Sequence, residues 1–381
     1  MGKIKVMSVF GTRPEAIKMA PLVRALGEDD RFESICCLTG QHREMLDSVM
    51  EIFRLRADYD LNIMEQNQTL STITTKALLG MEKVIAEAKP DLILVHGDTT
   101  TTFAGALSAF YQKVPVGHVE AGLRTFDKYS PFPEEMNRNL VGKIAQLHFA
   151  PTRANAENLR REQLAGDIFI TGNTVIDAMK FTVSPAFRFS DERLNTLDWS
   201  RRLIVMTCHR RENYGEPMAA IMRAVRQIAL AHPELTVVYP VHLSPVVQKA
   251  AHEGLDGLSN VLLIDPVDVE QMHNLMARSD LVLTDSGGLQ EEAPALGKPV
   301  LVMRRETERP EAIAAGTARL VGVEEAAIVS MTEELLTDEA AYAAMAHAVN
   351  PYGDGHACER IVQAIAWHFG LEPERPADFE A

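Results

Sequence analysis

The sequence predicts an α/β protein built from two doubly wound, Rossmann-like units that face a central cleft. Short apolar and β-branched runs alternate with helical patterns along most of the chain, which is typical of parallel sheets covered by helices on both faces. The alternation pauses once, over residues 182–200, and then starts again. The 381 residues also suit two domains, at roughly 100–200 residues per domain.

The first unit is predicted from six apolar runs with helices between them. The predicted strands are residues 4–10, 34–38, 91–96, 114–119, 147–150 and 167–170. The predicted helices are residues 14–27, 42–53, 71–88, 100–112, 134–144 and 153–163. The polar, weakly periodic stretch 182–200 reads as a linker.

The second unit repeats this pattern. Its predicted strands are residues 203–207, 235–239, 261–264, 281–284, 299–302 and 319–321. We place the domains at residues 1–172 and 173–355, with residues 171–200 as the hinge. A final helix at 356–369 is expected to pack back on the first domain, followed by a frayed, acidic tail.

Composition excludes several classes of protein. A formal net charge of −15 argues against nucleic acid or an anionic membrane as the main partner. The four cysteines are Cys36, Cys37, Cys208 and Cys358, and their spacing fits neither a disulfide framework nor a zinc site. We therefore expect reduced core cysteines in a cytoplasmic protein without a metal. No segment reaches the ~20 apolar residues of a membrane span.

The most informative segment is the apolar strand 281–284 followed by Ser286, Gly287 and Gly288 and then by a helix. Two glycines let the backbone approach an anion, and the N–H groups at the start of the helix point towards it. The sequence therefore predicts a phosphate site. The alternative is an ordinary turn between a strand and a helix.

Ligands of open parallel sheets bind beyond the carboxyl ends of the strands, so polar residues there are candidates for the site. Arg13 and Lys18 lie near the start of the first helix, where cations are unfavourable unless an anionic ligand offsets the helix dipole. They could instead be two solvated surface cations. The same loop lacks the G-x-G-x-x-G spacing, which makes an epimerase that works through bound NAD a poor match.

Carboxylates follow the next strands of the first unit. Asp98 comes after the third strand, where it could also cap the next helix, and Glu120 comes directly after the fourth. A carboxylate in that position is desolvated unless a partner compensates it. Glu134 and Arg138 are four residues apart on one predicted helix, so they form either an exposed ion pair or part of the cleft.

In the second unit, the candidate residues at the corresponding strand ends are His209, His242 and Arg309. A single histidine is usually a structural residue. His209 precedes Arg210 and Arg211, and these charges could hold it protonated or orient it.

These residues resemble the non-hydrolysing UDP-N-acetylglucosamine 2-epimerases over essentially the whole chain. The resemblance rests on GTRPEAIKMAP, TGQHREML, HGDTTT, GHVEAGLRT, PFPEEMNR, TGNTVID, HRREN, TDSGGLQEEAP, GKPVLVMR, TERPEA and NPYGDG. It implies a fold of the GT-B type, a homodimer, and interconversion of UDP-GlcNAc and UDP-ManNAc with no nicotinamide and no metal. The setting it implies is the synthesis of envelope polysaccharides.

The resemblance also implies roles for the candidate residues. The expected UDP-binding residues are Arg13, Lys18, Met272, Ser286, Gly287, Gly288, Glu292 and Arg309. Met272 stands where an aromatic residue is common in the family. Asp98, Glu120 and Glu134 are the acid/base candidates, with Arg138 orienting a carboxylate and His209 stabilising the leaving phosphate. We expect crowded like charges to raise the pKa of the working carboxylate.

Some members of this family bind a second UDP-GlcNAc as an activator, and the matching positions are Gln41, Arg210 and His242. Glu44 and Asn67 depart from that pattern. Several alternatives stay open: a hydrolysing epimerase, an enzyme for a UDP-diacetamido-uronic acid, a GT-B glycosyltransferase, and a non-catalytic sensor of nucleotide sugars.

Overall fold

The computed structural model describes residues 2–40, 43–63, 65 and 68–381, with the backbone alone for residues 43–45. The chain divides into two compact units. The first unit comprises residues 1–181 and 352–380, and the second comprises residues 182–351 with residue 381. Within the described ranges, every helix is too short or too polar to span a membrane.

The first unit is a seven-stranded parallel sheet with helices around it, and its strand order is β3-β2-β1-β4-β5-β6-β7. Its strands are β1 Ile4–Phe10, β2 Phe32–Leu38, β3 Tyr59–Asp60, β4 Leu92–His96, β5 Val116–Val119, β6 Leu147–Ala150 and β7 Asp167–Ile170. Its helices are α1 Arg13–Glu28, α2 Arg43–Ile52, α3 Leu70–Ala88, α4 Thr100–Tyr111, α5 Glu134–Ile144, α6 Arg153–Arg161, α7 Thr174–Thr182 and, at the end of the chain, α16 Ala357–His368.

The second unit is a six-stranded parallel sheet with strand order β10-β9-β8-β11-β12-β13. Its strands are β8 Leu203–Thr207, β9 Thr236–Pro240, β10 Val261–Ile264, β11 Leu281–Thr284, β12 Val300–Val302 and β13 Ala318–Leu320. Its helices are α8 Glu192–Asn195, α9 Glu216–Ala231, α10 Pro245–Leu255, α11 Val269–Arg278, α12 Leu289–Ala295, α13 Pro310–Ala315, α14 Glu325–Thr337 and α15 Glu339–Ala346, with a single 3-10 turn at Arg211–Asn213.

Burial explains why the apolar runs form the centre of each sheet. All five residues of β4 are buried, and so are all five of β8, because helices cover both faces of these strands. The strand order reverses between β1 and β4 in the first unit and between β8 and β11 in the second. Such a reversal opens a crevice at the carboxyl ends of the strands, so each unit places its polar loops at this edge.

The two doubly wound parallel sheets were predicted correctly, but the linker was not. Residues 187–199 pack on the second unit, where Phe189 stacks on Trp199 with ring centroids 5.7 Å apart. Leu194 of the short helix α8 is fully buried in the same cluster. The apolar residues of this stretch are too widely spaced to give a helix or strand period, which is why the sequence reads as a linker.

The prediction of a frayed tail is also wrong for its last residues. The backbone N–H of Phe379 donates to the carbonyl of Ile170 over 2.7 Å. The N–H of Ile170 donates to the carboxylate of Asp378 over 2.9 Å. Phe379 is buried against the first unit, so these residues continue the hydrogen bonding of the edge strand β7.

Candidate functional site

A buried carboxylate, Glu15, joins two loops at the carboxyl edge of the first sheet. One oxygen accepts hydrogen bonds from the N–H groups of Gly11 (3.0 Å) and Thr12 (2.7 Å), after β1. The other accepts from the hydroxyls of Thr99 (2.6 Å) and Thr102 (2.9 Å), after β4. Thr12 and Glu15 also form a capping box that starts α1. The loops after β1 and β4 are therefore fixed to each other.

Asp98 does not cap α4, because Thr99 is the N-cap residue and accepts from the N–H of Thr102. Asp98 is instead paired with Arg138. The guanidinium Nη2 and Nε lie 2.6 and 2.8 Å from the same carboxylate oxygen, Oδ2, and the Asn137 amide donates to the Asp98 carbonyl over 2.8 Å. Among the described residues, the other oxygen, Oδ1, has no partner.

The expected pairing of Arg138 with Glu134 is wrong. Arg138 Nη1 contacts Glu135 Oε2 over 2.9 Å, and Glu135 is buried beneath the N–H groups of Thr125 and Phe126, which donate to its two oxygens. Glu134 begins α5, is partly exposed and forms no ion pair within the described part of the chain. Three-residue spacing also brings helical side chains together, which is the signal that could have identified Glu135.

Glu120 lies at the end of β5 with a left-handed backbone, φ +60°, and three groups converge on its Oε2 atom. Lys18 forms an ion pair with Oε2, His96 Nε2 lies 3.4 Å away, and the Asn173 amide donates over 3.2 Å. No described residue forms a hydrogen bond or an ion pair with Oε1. His96 and Asn173 belong to the HGD and TGN motifs, but neither was a candidate residue in the sequence analysis.

These contacts reverse the expected shift in the pKa of Glu120. Burial alone would raise the pKa of this carboxyl, but the ion pair with Lys18 and the nearby His96 outweigh it and hold the pKa well below its ordinary value. The prediction of a raised pKa is therefore wrong for Glu120. Lys18, which was expected to contact phosphate, neutralises this carboxylate. Arg13, the first residue of α1, forms no ion pair with any described residue.

In the second unit, His209 follows β8 and lies beside Asp285, which follows the neighbouring strand β11. His209 Nδ1 is 3.3 Å from Asp285 Oδ1, and the ring stacks on His242 with centroids 5.6 Å apart. Burial, together with Arg210 and His242, lowers the pKa of His209, although Asp285 opposes this. This direction argues against the alternative in which the neighbouring charges hold His209 protonated. Asp285 itself was missed, because it reads as the polar end of an apolar run.

The Ser286-Gly287-Gly288 turn joins β11 to α12 and needs no left-handed glycine. Gly288 has φ −62° and is the residue before the helix. A Cβ atom at Gly287 would lie 3.7 Å from Arg210 Nη2, so the guanidinium lies directly beside this turn. The N–H groups of Gly287, Gly288 and Leu289 donate to no described acceptor, as a phosphate site at this turn would require.

The remaining candidates of the second unit each contact buried side chains. Arg309 forms an ion pair with the buried Glu291 of α12. Glu292 lies 3.3 Å from the buried ring of His273. Met272 packs against the cluster that contains Phe189.

Two of the three positions considered for a second nucleotide sugar lie in the same region. Arg210 is beside Gly287, and His242 stacks on His209. The third, Gln41, is outside the described residues, as is Asn67.

Comparison with known proteins gives matches over the full chain. Residues 24–366 match a family model described as UDP-N-acetylglucosamine 2-epimerase. The Bacillus subtilis UDP-N-acetylglucosamine 2-epimerase is 52% identical over 380 residues, which cover 100% of this chain and 99% of that relative. The Escherichia coli K12 UDP-N-acetylglucosamine 2-epimerase is 53% identical over 371 residues, which cover 95% and 98%.

A solved structure is similar over the same extent. The Neisseria meningitidis UDP-GlcNAc 2-epimerase bound to UDP-GlcNAc superposes with a TM-score of 0.84 at 47% identity, covering 96% of this chain and 100% of that one. Similarity of this kind confirms the predicted fold class, two doubly wound α/β units of the GT-B type.

Proposed function

Because the chain belongs to the UDP-N-acetylglucosamine 2-epimerase family, we propose that it interconverts UDP-GlcNAc and UDP-ManNAc by inverting carbon 2 of the sugar. One observation carries the chemical part of this proposal. Asp98 and Glu120 follow adjacent strands, and each has a cation on one carboxylate oxygen and no described partner on the other. A carboxylate held in this way is oriented and still has lone pairs for a proton.

The proposed reaction is an elimination followed by re-addition. Carbon 2 has no adjacent carbonyl, so its proton is not acidic in the resting sugar. As the bond between carbon 1 and the UDP oxygen breaks, its electron pair leaves with UDP, and the ring acquires oxocarbenium character that acidifies the proton on carbon 2. A carboxylate takes this proton to give 2-acetamidoglucal, and re-addition of a proton to the opposite face with return of UDP gives the epimer.

The contacts support the following roles. Glu120, whose pKa is held low by Lys18 and His96 against the effect of burial, is ionised near neutral pH, as a group that accepts a proton must be. Asp98, oriented by Arg138, and Glu134 are the candidates for the second proton transfer. In the second unit, the Ser286-Gly287-Gly288 turn would bind the diphosphate, supported by Arg309 and by His209. Arg13, Met272 and Glu292 are the further proposed contacts of the nucleotide.

We also propose a cytoplasmic homodimer that supplies a donor sugar for envelope polysaccharides. Leu79 on α3 and Phe110 and Tyr111 on α4 are large apolar side chains with 57%, 57% and 68% of their surface exposed. These helices pack on each other, so the three residues form one candidate contact between protomers. A monomeric mass in light scattering at micromolar concentration would contradict the dimer.

Proton NMR of UDP-GlcNAc incubated in D2O tests the reaction. We expect UDP-ManNAc to appear and deuterium to enter carbon 2 of both sugars. Free ManNAc with UDP would instead indicate a hydrolysing enzyme, and the absence of deuterium would indicate a sensor. The Glu120→Gln variant should lose the exchange, whereas Glu157→Gln, an exposed change of the same kind on α6, should keep it.

A further inference from the structure

Asp285 is a fully buried carboxylate that joins the loops after β8 and β11. Its Oδ2 atom accepts hydrogen bonds from the N–H groups of His209 and Arg210, both at 2.8 Å, and from the amide of Asn213 at 3.1 Å. Asp285 also directly precedes Ser286, the first residue of the proposed phosphate turn. The carboxylate therefore fixes the His209 loop against that turn.

The second oxygen, Oδ1, faces the His209 ring. Nδ1 is 3.3 Å from Oδ1, and the imidazole face is covered by His242. The opposite ring nitrogen, Nε2, has no partner in the described part of the chain, and 37% of the His209 side chain is exposed. Asp285 thus favours the tautomer with hydrogen on Nδ1, which leaves a lone pair on Nε2.

The charged and titratable groups facing this ring are Asp285, Arg210 and His242. Burial, together with Arg210 and His242, favours the neutral ring and lowers the pKa of His209, while Asp285 opposes them. Arg210 also lies beside Gly287. A diphosphate at the turn would neutralise Arg210 and add negative charge, and both effects favour an imidazolium.

We propose that Asp285 is a positioning residue that makes His209 take up one proton when a diphosphate binds. This inference rests on the proposed function. The hydrogen on Nδ1 stays on that nitrogen and faces the Asp285 carboxylate, a proton from solvent adds to the Nε2 lone pair, and the new N–H donates to a phosphate oxygen. No bond of the ligand breaks on binding. When the sugar bond later breaks, the leaving diphosphate gains one negative charge, which strengthens this hydrogen bond.

Calorimetric titration with UDP in two buffers of different ionisation enthalpy measures the proton uptake. At about pH 7.5 we expect roughly one proton per bound UDP, and none with uridine, which has no phosphate. His209→Gln should bind UDP without this uptake, and it reports any proton that UDP itself releases. Uptake in wild-type protein no greater than in His209→Gln would overturn the proposal.

Asp285→Asn is the variant that tests the positioning role. The Asn oxygen can still accept from the two backbone N–H groups, but its NH2 then faces Nδ1 of His209 and moves the ring hydrogen to Nε2. A neutral ring can then donate to phosphate, so we expect binding with the uptake lost. A matched control is His252→Gln, at an exposed pair in which His252 Nδ1 is 2.9 Å from Asp256, and its uptake should equal that of wild type.

A measurement on the unaltered protein covers the case in which Asp285→Asn does not fold. With histidine labelled by nitrogen-15, long-range NMR correlations identify which ring nitrogen carries hydrogen, and His209→Gln assigns the signal. We expect hydrogen on Nδ1 alone without ligand and on both nitrogens with UDP. Hydrogen on Nε2 alone, or a ring that stays neutral with UDP bound, would refute the proposal. Failure of UDP to bind at all would refute the proposed function as well, so the two failures are distinct.

Discussion

Acid should destabilise the first unit through His118, a buried histidine in β5. Its Nε2 donates to the carbonyl of Gly97 over 2.7 Å, and its Nδ1 has no described partner. Burial lowers the pKa of His118 from 6.5 to about 3, because a protonated ring would have a second buried N–H without an acceptor. Gly97 precedes Asp98, so the same hydrogen bond also supports the candidate site.

The sign and size of the effect follow from linkage. In the unfolded chain the ring titrates at its ordinary pKa of 6.5, so unfolding takes up a proton as the pH falls below that value. The stabilisation by the neutral ring is therefore complete above pH 6.5 and is lost as the pH falls from 6.5 towards about 3. With about 1.4 kcal/mol per pKa unit, the free energy of unfolding should fall by about 2 kcal/mol between about pH 7 and about pH 5 from His118 alone.

Urea unfolding followed by tryptophan fluorescence can isolate the first unit. The chain has two tryptophans, and Trp367 packs on Phe169 within that unit at a centroid distance of 5.9 Å. In a Trp199→Phe background the tryptophan fluorescence comes from Trp367 alone, so it follows the unfolding of the first unit. Between about pH 7 and about pH 5, the free energy of unfolding of His118→Gln should fall by about 2 kcal/mol less than that of the parent. The fall for the exposed control His356→Gln should match that of the parent. Equal pH dependence in the parent and His118→Gln would refute the reasoning.

Three further predictions concern the site. Lys18→Met should raise the pKa of Glu120, because the effect of burial is then opposed mainly by His96. The acid limb of the pH profile of kcat/KM should therefore move to higher pH. An acid limb that does not move would contradict the prediction. Arg138→Lys should lower kcat on the order of 100-fold with little change in KM, because an ammonium cannot bridge two carboxylates as a guanidinium does. Near-normal steady-state kinetics would count against this role of Arg138. Gly287→Ala should fold normally, because the nearest atom to the new Cβ is 3.7 Å away. It should nevertheless weaken UDP binding about tenfold. An unchanged Kd for UDP in calorimetry would exclude a phosphate bound at this backbone.

The sequence predicts the sheets well because their central strands are buried on both faces. Such strands become continuous apolar runs bounded by polar loops, and β4 and β8 show this pattern over their full length. The strand β3, Tyr59–Asp60, has two residues and is half exposed, so no apolar run in the sequence indicates it. The tail forms hydrogen bonds through its backbone and through one carboxylate. Its composition is the same as that of a solvated segment, so the sequence does not indicate these bonds.

For the candidate site, strand topology predicts where polar side chains lie but not which groups they contact. Asp98 and Glu120 were chosen as candidates because each follows a buried strand. Glu135 and Asp285 were harder to find, because each acts through buried hydrogen bonds to residues 10 or more positions away. A sequence indicates where a polar side chain leaves the core, but not which of two adjacent carboxylates, Glu134 or Glu135, turns inwards. That choice depends on the packing of the whole helix.

The contacts of Asp98 and Glu120 have a common chemical consequence. A guanidinium that bound both oxygens of a carboxylate would orient it well but occupy the lone pairs needed for a proton. Arg138 instead places two nitrogens on one oxygen of Asp98, and Lys18, His96 and Asn173 all converge on one oxygen of Glu120. Each carboxylate is thereby held in one orientation with its second oxygen available. In the proposed reaction, orientation and proton transfer, which compete for the same lone pairs, would therefore use different oxygens of each carboxylate.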